Sequence, residues 1–211
     1  MKGVFFDTWH SWNDFFLVLA SVELGLPKPK INTVDVPAID GEIDFSDVFG
    51  ELKYKNRTLK LKFNTAILDT ESAIQFYSEI AQKFHGKIID IVMDDDAYWK
   101  YRGRIEIETL KTKDVIKSIV ITGECDPYKV ARITKKFNQT IVSGASFIYH
   151  VVGRSIPATI TVDASMTCSI NGGTSISLSV GSNTVQLEEG HNTIAYTGTG
   201  TINVEYLEKS L

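Results

Sequence analysis

Cysteine is scarce in this chain. Only Cys125 and Cys168 occur in 211 residues, far apart and with no CxxC pair. A disulfide framework needs more, so two free, buried thiols are expected. The four histidines (His10, His85, His150, His191) are scattered, and none has the spacing of a metal site. Basic residues are not in excess. The formal net charge is −4 and Lys and Arg form no long run, which excludes a general nucleic-acid binder. No apolar run approaches the roughly 18 residues that span a bilayer. Asp7, His10, Asn13 and Asp14 interrupt the apolar start, so it does not read as a secretion signal, and cytoplasmic synthesis is the expectation. GxSxG, HExxH and Walker sequences are all missing, and no Ser, His and Asp spacing nominates a triad. The expectation is no enzyme, no metal and no cofactor.

What is present is a change of composition near residue 133. Up to Ile133 there are 39 charged residues in 133; from Thr134 onward there are 9 in 78, and Ser, Thr, Gly and Asn make up 34 of those 78. Such a shift marks a candidate domain boundary, giving residues 1–133 and 134–211, with the junction in CDPYKVARITKK. In the first region Val4–Phe6, Phe15–Val22, Ile88–Met93, Tyr98–Glu108 and Val115–Gly123 read as strands. One helix is expected over Ile67–Gly86, capped by Asp69 or Thr70. Ile74, Tyr77, Ala81 and Phe84 lie along its apolar face and Gly86 makes the left-handed stop. Asp94-Asp95-Asp96 reads as a solvated hairpin tip, since it lacks the alternating ligands and Gly of a calcium loop. Trp9, Trp12, Trp99, Tyr98 and Tyr101 read as core or interface anchors. This is an antiparallel sheet with one helix, hence α+β. The second region is all β: short alternating runs between Gly/Asn turns predict a small jelly-roll sandwich. Its last run puts Ile202, Val204 and Tyr206 on one face.

The stretch DVPAIDGEIDFSDVFGELKYKNRTLKLKF, Asp35–Phe63, carries the strongest signal. Leu59, Leu61 and Phe63 alternate with Lys60 and Lys62, as a half-buried strand requires. Before that the parity reverses. Lys53, Lys55 and Arg57 fall on the side that later carries Leu and Phe. Two readings stay open: a bulge within the subunit, or an arm that leaves its domain and lies on a neighbour.

In order and spacing, DVPAIDGEIDFSDVFG, YKNRTLKLKF, the hairpin around Asp94–Gly103 and CDPYK resemble the distal tail (Dit) proteins of long-tailed phages. The opening MKGVFFDTWHSWNDFFLVLASVELGLPKPK is similar to their first strands, and the ending EGHNTIAYTGTGTINVEYLEKSL resembles their small galectin-like domain. The resemblance implies a mainly β protein. Its amino-terminal part would be a tail-tube-like sandwich or barrel with one helix, carrying a belt arm at about 34–63. Its carboxy-terminal part would be a galectin-like sandwich. It implies a homo-hexameric ring at the tail tip of a phage or prophage, assembled in the bacterial host cytoplasm. The ring would join the tail-tube protein to the tail-associated hub protein. Receptor-binding proteins are possible further partners, DNA passes through the lumen without sequence-specific contact, and no membrane partner is implied. The implied subunit-interface residues are Asp35, Asp40, Asp44, Asp47, Tyr54, Lys55, Asn56 and Arg57; the implied domain junction is Asp126, Pro127 and Tyr128. A carbohydrate-binding module and a tail-tube subunit are the alternative functions.

Overall fold

The computed structural model describes residues 2–37, 39–48, 50–65, 70–108, 111–113 and 116–211. The chain divides into two compact units, Met1–Lys129 and Val130–Leu211. The division falls inside CDPYKVARITKK, just before the change in composition.

The first unit contains β1 (Val4–Phe6), β2 (Trp9–His10), α1 (Ser11–Phe15), β3 (Leu17–Leu24), β4 (Thr33–Asp35), β5 (Glu42–Asp44), β6 (Arg57–Thr65), α2 (Thr70–Phe84), β7 (Ile88–Met93), β8 (Trp99–Ile107), β9 (Lys111–Lys113) and β10 (Ile116–Cys125). Its main sheet runs β2-β1-β7-β8-β10-β6-β3. Its two ends, β2 and β3, are joined by the single turn-and-a-half of α1, so the sheet curls strongly on itself. The expected strand Phe15–Val22 is therefore wrong at its start. His10 Nδ1 accepts the Asn13 N–H at 3.2 Å and Asp14 accepts the His10 N–H at 2.6 Å. These local bonds wind residues 11–15 into a helix, and Phe16, at φ 52°, turns the chain into β3.

Alternation then does the work. In β6, Arg57, Leu59, Leu61, Phe63 and Thr65 point inward, and in β8 so do Trp99, Tyr101, Gly103, Ile105 and Ile107. Helix α2 covers that apolar face with Ile80 and Phe84, and Phe84 meets Phe6 and Phe15 edge to face or tilted. The buried stripe is Ala73, Ile80 and Phe84 rather than one that includes Ile74, which is exposed. Phe84 is buried and Tyr77 and Ala81 pack half-buried against the same core, so of the four expected residues Ile74 alone is misplaced. Gly86, at φ 78°, does stop the helix. The caps' side chains, including Asp69, and Val115 lie outside the described residues.

The three acids 94–96 form a short 3-10 turn, and each is tied down separately. Asp94 accepts the Gly3 N–H at 2.7 Å, Asp95 pairs with Lys2 at 2.8 Å and Asp96 with Lys129 at 3.0 Å. They hold the chain's first residues and its exit from β10 beside one hairpin.

The second unit comprises β12 (Lys135–Ile141), β13 (Ser146–Val151), β14 (Ile156–Val162), β15 (Met166–Ile170), β16 (Ile176–Leu178), β17 (Gly181–Leu187), β18 (Gly190–Thr197) and β19 (Gly200–Tyr206). The division between units lies in β11 (Lys129–Ala131), and the chain ends in β20 (Lys209–Ser210). Two four-stranded antiparallel sheets, β12-β19-β14-β17 and β13-β18-β15-β16, face each other. Ile160, Ile194, Ile202 and Val204 fill the space between them. Glu208, 1% exposed, accepts from Lys135 Nζ at 2.7 Å and from the Val152 N–H at 2.8 Å, so its buried charge is both paired and hydrogen-bonded.

Two tests follow from the packing. A Cβ built on Gly103 would sit 2.5 Å from Glu124 O and 2.6 Å from the Cys125 Cα, both main chain in the paired strand β10. Gly103→Val should therefore destabilise the first unit by about 2 kcal/mol, read as a lowered Tm while the sandwich keeps its own transition. Burial pushes the Cys125 thiol up to about 12 and raises that of Cys168 as well. Neither should react with a thiol reagent at pH 8 until the protein is denatured, when both should label.

A hairpin arm and its buried anchor

Between β3 and β6 the chain leaves the sheet as a long hairpin. Its outgoing limb starts at Gly25, whose N–H donates to Thr58 O at 2.9 Å. Next, Lys30 N–H donates to Lys53 O at 2.7 Å and Lys55 N–H to Lys28 O at 2.8 Å, either side of a Pro29–Tyr54 bridge. Pro27 and Pro29 lack amide donors and suit a limb that pairs on one side only. Farther out, Phe45 N–H reaches Asn32 O at 2.8 Å, and β4 pairs with β5 in the register Thr33–Asp44, Val34–Ile43, Asp35–Glu42. Asp44 accepts both the amide and the hydroxyl of Ser46, and these bonds hold its carboxyl below the ordinary range.

Every residue of β4 and β5 is exposed. So are Leu26, Ile31, Val34, Ile39, Ile43, Phe45 and Val48. A two-stranded hairpin is at best marginally stable alone in water. One that also leaves apolar side chains and both edges uncovered has the character of a surface built to meet another chain.

The parity reversal has a different cause from either expectation. Strand β6 begins at Arg57, and its alternation is unbroken from there to Thr65. Arg57 points inward, 2% exposed. Its Nε donates to Gly25 O at 3.0 Å, its Nη1 to Pro127 O at 3.5 Å, and the guanidinium lies 5.5 Å from the Tyr101 ring centre. Arg57 is thus an anchor inside its own subunit, and its assignment to a subunit interface is corrected: burial leaves no free guanidinium to offer a neighbour. Lys53, Tyr54 and Lys55 belong to the arm's returning limb, outside β6. Lys53 O and Lys55 N–H are taken up by Lys30 and Lys28 of the same chain, so these two groups are paired within the subunit.

The structure brings the two groups of expected site residues together. The Tyr54 and Tyr128 rings meet edge to face at 6.1 Å, Pro127 O receives Arg57, and the Asp126 N–H donates to Arg102 O at 2.8 Å. Asn56 is exposed and lines a groove of about 400 Å³ with Thr58, His85, Arg104, Glu106 and Glu124. Asp35 and Asp44 stand on the arm strands, Asp40 at its tip and Asp47 in its return, all exposed. The sequence reading missed the outgoing limb, residues 25–33. Its signal was the alternating PKPK.

Among the described residues no three His, Cys, Asp or Glu side chains gather as a metal site, and no helix is long and apolar enough to cross a membrane. The fold combines a curled antiparallel sheet, two helices and an exposed hairpin arm with a two-sheet jelly-roll sandwich. It is similar in particular to the crystal structure of SPP1 Dit (gp 19.1), described as a paradigm of the hub adsorption apparatus in phages infecting Gram-positive bacteria. The TM-score is 0.70, with 16% sequence identity and 100% of both chains covered. At that identity the likeness is one of fold. No family model and no curated protein matches the chain.

Arg57→Met should keep the alternation of β6 but leave Gly25 O and Pro127 O without their donor, at a cost of about 2–3 kcal/mol. The expected readout is faster amide exchange at Gly25 and at Lys55, ahead of the sheet core. Unchanged exchange there would show that Arg57 does not hold the arm.

Proposed function

We propose that this chain is a structural subunit of a phage tail tip, without enzymatic activity. The observation that carries the proposal is the arm, whose strands β4 and β5 are exposed throughout, on a fold like that of SPP1 Dit. In this reading six copies close a ring. Each arm lies along the adjacent subunit, covering its apolar side chains and edges, and together the arms form a belt. An arm on one face that seats on a different face of the next copy makes a heterologous contact, which closes into a ring when the rotation per step allows. The first unit would stack on the tail-tube protein on one side and the hub protein on the other. The jelly roll, read as a galectin-like domain, would face outward as an attachment platform, including for receptor-binding proteins. The protein would reside in the virion after assembly in the host cytoplasm.

The acids of the interface assignment, Asp35, Asp40, Asp44 and Asp47, keep their place in this reading. Tyr54, Lys55 and Asn56 form the arm's root, and Asp126, Pro127 and Tyr128 form the exit from the first unit.

Light scattering of purified protein should give a hexamer mass, and electron micrographs should show closed rings. Replacing residues 31–52 with a short Gly-Ser turn should yield a folded monomer with an unchanged jelly-roll melting transition. Rings formed without the arm would sink the belt. Long tubes from the intact chain would identify a tube subunit instead.

A further inference from the structure

The arm is electrically polarised, and in an unusual way. Residues 31–51 contain Asp35, Asp40, Glu42, Asp44, Asp47 and Glu51 and not one Lys or Arg. The root contains Lys28, Lys30, Lys53 and Lys55, all exposed. The register turns this polarity into cross-strand pairs. At the outer end Asp35 stands directly opposite Glu42. At the root, the Pro29–Tyr54 bridge and its two flanking hydrogen bonds set Lys30 opposite Lys53 and Lys28 opposite Lys55. Like charges directly opposite across two strands are destabilising. This hairpin therefore carries repulsive pairs of one sign at its tip and of the other sign at its root. The exposed pair Lys53–Glu51, at 3.9 Å, is too loose and solvated to cancel this.

We propose that the acidic outer half of each arm seats against the lysine root of the next copy's arm. The partner is a second copy of this chain, and its binding surface is Lys28, Lys30, Lys53 and Lys55. The proposal rests on the arm mediating assembly, and it adds where the arm ends up. Both repulsions are relieved by the same contact, because each cluster supplies what the other lacks. The contact also has a direction. Tip on root, repeated, threads the arms head to tail, so that charge sets the order of subunits while the apolar side chains provide adhesion.

Two charge-reversed proteins test this. The tip variant carries D35K, D40K, E42K and D47K; Asp44 is left intact because it orders Ser46. The root variant carries K28E, K30E, K53E and K55E. All eight side chains are exposed, so both variants should melt like the wild type. Wild-type protein is shown first to assemble in light scattering; a wild type that stays monomeric overturns the assembly reading and the charge contact with it. Each variant alone then sets like charge against like and should need a protein concentration at least about tenfold higher to assemble. Mixed in equal amounts they regain opposite charge at every contact and should assemble as the wild type does, in alternating order. Variants that assemble alone at wild-type concentration overturn the proposal. So does a mixture that stays monomeric, or one that stops at a dimer, since a dimer would mean two arms lying side by side in opposite directions.

Discussion

A guanidinium taken out of water must find acceptors for its N–H groups, and Arg57 finds them in three separate parts of the first unit. Gly25 O is the start of the arm, Pro127 O is the exit after the last sheet strand, and the Tyr101 ring belongs to the centre of the sheet. Among the described residues these contacts are to carbonyls and an aromatic face, and no carboxylate pairs with Arg57. The positive charge is therefore satisfied only if the arm root, the central strand and the exit turn are all in place. A single buried side chain makes three otherwise independent features conditional on one another. The Tyr54–Tyr128 contact reinforces the same junction from outside.

That anchor explains how a hairpin with little core of its own can be held out in solvent. Its outer half gains almost nothing from burial, since β4 and β5 are exposed throughout. Its root is hydrogen-bonded to itself and bolted to the sheet through Arg57. The result is an element fixed at one end and unsatisfied at the other, in apolar surface, in edge hydrogen bonds and in charge. In the proposed ring, a copy of the same chain would meet each of those deficits. This is the physical basis for reading the arm as the part that assembles, and for reading the remainder of the first unit as the support that aims it.

Much of the fold was legible because its patterns are local. The alternation of Ile202, Val204 and Tyr206 and of Leu59, Leu61 and Phe63 places those residues inside just as expected. Gly86 and the Gly/Asn turns of the jelly roll mark the ends of elements through their backbone freedom. What was not legible depended on partners distant in sequence. Helix α2 showed its apolar face in Tyr77, Ala81 and Phe84, but that Ala73 and Ile80 are buried while Ile74 is exposed was settled by the sheet it packs on. Lys135–Ile141 and Ser146–Val151 were missed as strands because each is half exposed, which blurs its alternation. The acids 94–96 do lie at an exposed hairpin turn, but their partners Gly3, Lys2 and Lys129 come from elsewhere in the chain.

The sequence by itself determined that the chain is mainly β, that its composition changes near residue 133, and that something unusual happens between Asp35 and Phe63, because composition, alternation and turn chemistry are properties of neighbouring residues. Only the tertiary structure decided what that unusual feature is. An arginine on an apolar face reads as a fault until Gly25, Tyr101 and Pro127 are seen around it. Two lysine pairs and an acid pair read as ordinary surface charge until the register sets like against like. Both facts depend on which backbones lie side by side, and that is fixed by the folded chain as a whole rather than by any segment of it.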